Sequence, residues 1–156
     1  LGQQNLIENI KNAIAFSGLD CPGVAVEITE TAAMTDLDRA IYILNELKKL
    51  GIIIALDDFG KGLSSLTYLK ELPIDLLKID KDFIRNVVNS ISDGYIFESL
   101  VYLAHHMGLK VVAEGIETRE QLMFVKNCGC DYAQGYYFSK PLASNEVEQI
   151  FDSILF

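Results

Sequence analysis

The chain has 156 residues, 50% of them hydrophobic and 22% charged, which is the make-up of a folded domain with a substantial core and excludes a disordered tail. Its net charge of -9 argues against broad adhesion to DNA, RNA or an anionic membrane surface, while a small anionic ligand stays possible where metal ions reverse the local charge. Cys21, Cys128 and Cys130 are odd in number and form neither a disulfide framework nor a zinc set, and no run is long and apolar enough for a membrane span or a signal peptide.

Leu6, Ile10, Ala13 and Ile14 recur at helical spacing and predict a first helix from Gln3 to Phe16, stopped at Gly18. The apolar, β-branched run Val24-Ala25-Val26-Glu27-Ile28 predicts a strand with an acid near its end. A second helix is expected from Asp36 to Leu50, with Thr35 and Asp38 as a capping box, an inward face of Leu37, Ala40, Ile41, Leu44 and Leu47, and Gly51 as the stop. Ile52-Ile53-Ile54-Ala55-Leu56 reads as a strand buried on both faces that delivers Asp57 and Asp58 into a loop containing Gly60 and Gly62.

A short helix from Ser64 or Ser65, a strand over Leu76-Leu77-Lys78-Ile79 and a turn of helix over Phe83 to Val88 come next. A longer helix from Ser92 carries the stripe Ile96, Leu100, Leu103 and Met107, and its end holds His105 and His106 in solvent or at a helix-terminal contact. Lys110 to Ala113 forms the fourth strand, ending at Glu114. Thr118 and Gln121 make a capping box for a helix that stops near Gly129, and Asp131 to Gly135 is the fifth strand. Tyr136, Tyr137 and Phe138 are expected to pack in the core or at its rim, and a last helix after Ser144 turns Val147, Ile150, Phe151 and Ile154 inward.

Strand and helix thus alternate five times, an order that favours parallel strands covered by helices. An open doubly wound sheet and a partial barrel both satisfy it. Glu27, Asp57, Lys78, Glu114 and Gln134 fall at or near the C-terminal ends of consecutive strands, where a barrel gathers them around one site. Two adjacent acids after a buried strand suit divalent metal ions, or one metal and one water. An acid such as Glu27 in an apolar strand needs a cation, a donor or solvent, and Lys78 interrupts another apolar run either as a salt-bridge partner or as a phosphate contact. The Asp58 to Ser65 segment lacks the fingerprint of a nucleotide-binding loop, so its glycines imply close backbone approach or a closing loop.

Several ordered motifs resemble the EAL-domain cyclic di-GMP phosphodiesterases. They are Glu27-Ile28-Thr29-Glu30, Asp57-Asp58-Phe59-Gly60-Lys61-Gly62-Leu63-Ser64-Ser65-Leu66, Leu77-Lys78-Ile79-Asp80, Ala113-Glu114-Gly115-Ile116-Glu117-Thr118 and Gln134-Gly135-Tyr136-Tyr137-Phe138 before Pro141-Leu142. The resemblance implies a (β/α)8 TIM-type barrel, present here in part as strands four through eight, and hydrolysis of cyclic di-GMP to pGpG with Mg2+ or Mn2+, two ions per complete site. It makes Glu27 and Asp57 direct metal ligands, with Asp58 serving the second metal and Glu114 binding metal directly or through water. Lys78 positions the attacking water, Asp80 holds Lys78 or a metal-bound water, and Glu117 adds an acidic contact. Glu30 anchors the Asp58 to Ser65 loop, and Gln134 sits by the metal-water network or the ligand.

The family's Glu-Ala-Leu motif and the Asn between it and Glu27 are absent, and the first residue is Leu1. The expectation is therefore that residues 1–156 form the C-terminal portion of a longer domain whose early strands lie outside this chain. Lys61 and Leu63 stand where the family commonly has Thr and an aromatic residue. The resemblance further implies a homodimer, an upstream sensory or cyclase domain, and a cytoplasmic location or the cytoplasmic portion of a membrane-associated signalling protein. Two alternatives remain beside the enzyme: a non-catalytic cyclic di-GMP receptor, and a protein-interaction or dimerisation module without ligand. Retention of Glu27, Asp57, Asp58, Lys78, Asp80, Glu114 and Glu117 favours the enzyme, since binding alone does not require every reactive group.

Overall fold

The run from Ile52 to Leu56 has no polar face to turn to water, and it lies inside a sheet in the computed structural model, which describes residues 5–18, 23–60, 66–143 and 145–147. Strand β2 (Ile53–Phe59) is flanked by β1 (Ala25–Thr29) and β3 (Leu76–Ile79), and β4 (Lys110–Glu114) and β5 (Tyr132–Gln134) extend the sheet. All neighbouring pairs are parallel and the order is β1-β2-β3-β4-β5. An open doubly wound sheet reverses its strand order at a switch point, and this one never does. Right-handed crossovers that always step the same way keep the helices on one face, which is the winding of a β/α barrel. The five strands are a partial barrel.

The helices are α1 (Leu6–Ser17), α2 (Glu30–Thr35), α3 (Leu37–Lys48), α4 (Leu66–Leu69), α5 (Lys81–Ile84), α6 (Ile91–His106) and α7 (Arg119–Asn127). The core joins Leu44 and Leu47 of α3, Ile54 and Leu56 of β2, Leu77 and Ile79 of β3, Phe97 and Val101 of α6, Val111 of β4 and Val125 of α7. Phe97 meets Phe124 with ring centroids 5.9 Å apart. No described helix is long and apolar enough to cross a membrane.

Several expectations need correction. Thr35 does not cap α3: an extra short helix, α2, uses it as its last residue, and its hydroxyl donates to Thr31 O at 2.9 Å. Asp36 is the cap instead, accepting the Arg39 N–H at 3.2 Å. The stripe of α6 is shifted by one residue, with Gly94, Phe97, Val101 and Ala104 buried and Ile96 half exposed. The helix also exposes Ile91, Tyr95 and Tyr102, so apolarity nearly all round left its phase undetermined. The turn of helix after β3 begins at Lys81 rather than Phe83 because Asp80 caps it.

On α1, Leu6, Ile10 and Ile14 face the core but Ala13 is exposed. Phe138 packs on the core, while Tyr136 and Tyr137 stay exposed. Val147 is 39% exposed rather than inward, and Ile150, Phe151, Ile154 and Cys21 lie outside the described residues. The capping box of Thr118 and Gln121 forms as expected. Cys128 and Cys130 are free thiols, and burial pushes Cys130 up to about 12.

A repeated tie closes the N-terminal end of the sheet. Asp75, just before β3, accepts the Ile54 N–H at 2.9 Å and Lys48 Nζ at 2.7 Å. Asp131, just before β5, accepts the Val111 N–H at 2.8 Å and meets His105 Nε2 at 2.9 Å. Each tie joins a strand start, its neighbour and the preceding helix end. Burial works against the charge on Asp131, but the Val111 N–H and His105 outweigh it and hold the carboxyl below its usual range.

Asp131→Asn is therefore expected to melt at a lower temperature than the parent at neutral pH. A depressed carboxyl stabilises the fold above its unfolded pKa of about 3.9 and ceases to do so as pH falls through its folded value. The gap between the two chains should thus narrow below about pH 4, as thermal melts across the acid range will show.

Candidate active site

Side-chain direction repeats every two residues along a strand, so register alone aligns the polar groups. Glu27 pairs with Ala55, two residues before Asp57, and Lys78 pairs with Val112, two residues before Glu114. Gln134 pairs with Glu114. Ala55 pairs with Leu76, two residues before Lys78, so residues from five parallel strands share one face at the C-terminal ends, where β/α barrels place their active sites.

The convergence is tight. Lys78 Nζ lies 2.8 Å from Glu27 Oε2, 3.1 Å from Asp57 Oδ1 and 2.8 Å from Glu114 Oε1. The Lys78 side chain is only 7% exposed, so this is a buried ammonium reached by three partly solvated carboxylates. Burial pulls Lys78 down, but the hydrogen bonds it donates to Glu114, Glu27 and Asp57 together outweigh it and hold the ammonium above its ordinary value. Glu114 moves up, first through burial and then through Asp57 and Glu27, with Lys78 opposing.

Asp57 and Asp58 lie within β2 rather than after it, because the strand continues to Phe59. The Asp58 N–H donates to Asp57 Oδ1 at 2.9 Å. Glu30 Oε2 accepts the Gly60 N–H at 3.3 Å. Asp80 is buried, and its Oδ1 accepts the Asp82 N–H at 2.9 Å to cap α5. Glu117 is exposed and takes no part in the described ion pairs of Lys78; its N–H donates to Gln121 Oε1 at 2.8 Å. The Gln134 carbonyl accepts the Ile116 N–H at 3.0 Å, tying the loop after Glu114 to β5.

Phe83 and Lys81, which support these strand ends, carried no functional signal in the sequence, and Ile116 appeared there only as part of a motif. Their importance comes from close approach to glycines distant along the chain.

Among the described residues no three His, Cys, Asp or Glu side chains stand at metal-binding spacing, because the carboxylates gather on the ammonium. The donor chemistry nevertheless fits a hard divalent cation. Three carboxylates each turn an oxygen to one positive centre, and their formal charge exceeds that of Lys78 by two.

A family model described as EAL domain matches residues 1–141. Cyclic di-GMP phosphodiesterase NbdA of Pseudomonas aeruginosa is 40% identical over 149 residues, covering 96% of this chain and 19% of NbdA. The bifunctional diguanylate cyclase/cyclic di-GMP phosphodiesterase MucR of the same organism is 38% identical over 142 residues, covering 91% of this chain and 21% of MucR. The c-di-GMP complex of the PaMucR phosphodiesterase superposes with a TM-score of 0.87 at 37% identity, over 94% of this chain and 59% of that one. A manganese/c-di-GMP complex of Klebsiella pneumoniae BlrP1 gives 0.83 at 31% identity, over 90% and 36%. The chain spans about a fifth of the length of the curated relatives it matches.

Proposed function

Because the chain belongs to the EAL domain family, we propose that its strand-end cluster is the metal-dependent centre of a cyclic di-GMP phosphodiesterase, which opens one phosphodiester to give linear pGpG. The convergence of Glu27, Asp57 and Glu114 on Lys78 carries this reading, because a site for a phosphodiester needs both oxygen donors for cations and a fixed positive charge. Mg2+ or Mn2+, two ions per complete site, supply charge neutralisation and a lowered water pKa when bound. Glu27, Asp57 and Glu114 would hold them, with Asp58 serving the second.

Lys78, held by three carboxylates at 2.8–3.1 Å, serves as the positive charge of the site. Its ammonium orients the attacking water and steadies the charge that builds on the phosphate. Asp80 fixes the exit of the Lys78 strand, Glu30 braces Gly60, and Glu117 and Gln134 belong to the rim beside Glu114. The sheet supplies strands four through eight of the complete barrel; β1 and β5, the outer strands here, pair with the early strands in the complete domain. The complete protein works as a cytoplasmic or membrane-associated homodimer joined to a sensory or cyclase domain. The greater length of its relatives and the two activities in the name of MucR support the additional domain.

Chromatography of cyclic di-GMP incubated with Mn2+ and either this chain or the complete domain tests the reading. Metal-dependent pGpG from the complete domain, lost in Glu27→Ala, is the expected result. Cyclic di-GMP bound by the complete domain without any product would establish a receptor instead. Product from the complete domain alone would place the remaining ligands outside residues 1–156.

A further inference from the structure

The end of β2 departs from a plain strand. Leu56 pairs with Leu77 but Phe59 pairs with Ile79, so β2 carries one residue more than β3 over this stretch. This is a bulge, a device that re-aims side chains beside functional sites. Asp58 sits inside it at φ 57°, in the left-handed region that residues other than glycine seldom occupy. Such a conformation persists where the surroundings over-determine it.

Two groups meet Gly60, just beyond the bulge. Glu30 accepts its N–H, as described above. The Phe83 ring lies against its Cα: a Cβ built on Gly60 would stand 2.2 Å from Phe83 Cε2 and 2.5 Å from Cζ. Phe83 belongs to α5, which starts immediately after the Lys78 strand and is capped by buried Asp80. The same helix also presses on the loop after Glu114, where a Cβ on Gly115 would stand 2.3 Å from Lys81 Cβ. One short helix thus spans the strand ends that carry Asp57 and Asp58, Lys78 and Glu114.

We propose that Phe83 is a positioning residue for this site: its ring, carried by α5, clasps Gly60 together with Glu30 and so holds the Asp57-Asp58 bulge in the conformation that aims its carboxylates at the divalent cation. The cation rests on the phosphodiesterase reading, whereas the clasp rests on geometry alone. Phe83 also packs against the core, so the test separates local control from general packing.

The variants are Phe83→Ala and the milder Phe83→Leu, with Ile43→Ala as a buried comparator on α3. Gly60→Ala and its combination with Phe83→Ala complete a double-mutant cycle. Mn2+ affinity is read by titration calorimetry, and amide hydrogen exchange is read at Asp57 to Gly60.

Phe83→Ala is expected to weaken Mn2+ binding by about 10- to 100-fold and to speed exchange at Gly60, with Phe83→Leu intermediate and Ile43→Ala changing neither. The Gly60 and Phe83 effects should not add, because Gly60→Ala acts by displacing the Phe83 ring, and Phe83→Ala removes that clash and leaves only the strain of a side chain at φ 98°. Unchanged affinity and exchange in Phe83→Ala, or equal changes in Ile43→Ala, would overturn the proposal. If the complete domain binds no Mn2+ while Phe83→Ala alone still loosens Gly60, the clasp stands and the metal reading fails.

Discussion

Lys78→Met is expected to bind Mn2+ more tightly than the parent chain and, in the complete domain, to yield almost no pGpG. The ammonium draws one oxygen from each of Glu27, Asp57 and Glu114, so a metal competes with it for those oxygens. Two unit charges about 4 Å apart interact by about 4 kcal/mol at an effective dielectric near 20, and a divalent ion at that distance from Lys78 meets about twice that repulsion before screening. Removing the ammonium removes competitor and repulsion together, a gain on the order of tenfold or more in affinity. Turnover falls by about 10^2- to 10^3-fold, because no fixed positive charge remains where the phosphate gains negative charge.

Without metal the same variant leaves three carboxylates facing one another. Glu114, already raised by burial against the pull of Lys78, rises further. A carboxyl raised in the fold favours the folded state at low pH and ceases to do so as pH climbs through its folded value. The melting temperature of metal-free Lys78→Met should therefore increase as pH falls, and Mn2+ should restore it at neutral pH. Calorimetric titration combined with melts in the presence and absence of Mn2+ decides the matter. Weaker Mn2+ binding in the variant would mean that Lys78 organises the carboxylates rather than contests them.

Much of this site was visible in the residue order because strands signal locally. The all-apolar run ending at Leu56 marks a strand buried on both faces, and parallel register then aligns Glu27, Asp57, Lys78 and Glu114 without further information. The capping box at Thr118 was equally legible, since its partners are three residues apart. What escaped depended on tertiary competition. Thr35 reads as a cap until α2 absorbs it, and α6 offers apolar side chains on nearly every face, so only packing against the sheet selects Phe97 over Ile96. The bulge at Asp58 left no trace either, because it depends on how β2 meets β3 and how Phe83 reaches Gly60.

Gly135→Ala is expected to be among the most damaging single-atom additions to the fold. A Cβ at this position would lie 2.1 Å from Ile116 O and 2.3 Å from Ile116 N. These are backbone atoms already committed, since the Ile116 N–H donates to Gln134 O at 3.0 Å and Ile116 O accepts the Tyr137 N–H at 2.9 Å. No rotamer change can relieve the clash; the loop after β4 must move away from β5 and lose those bonds. Overpacking typically costs about 1–3 kcal/mol, and two strained hydrogen bonds place the expected loss at or above the top of that range.

At about 2–4 °C per kcal/mol for a chain of this size, the melting temperature should fall by roughly 6–12 °C. Gly129→Ala is the comparator: nothing stands within 4 Å of its Cβ, so its φ of 84° alone sets a cost of about 1–2 kcal/mol. The same displacement carries Glu114, two residues before Ile116, away from Lys78. Gly135→Ala should therefore weaken Mn2+ binding as well as stability, while Gly129→Ala lowers stability alone. Melts and Mn2+ titrations on both variants separate a glycine required by close backbone approach from one required only by its turn.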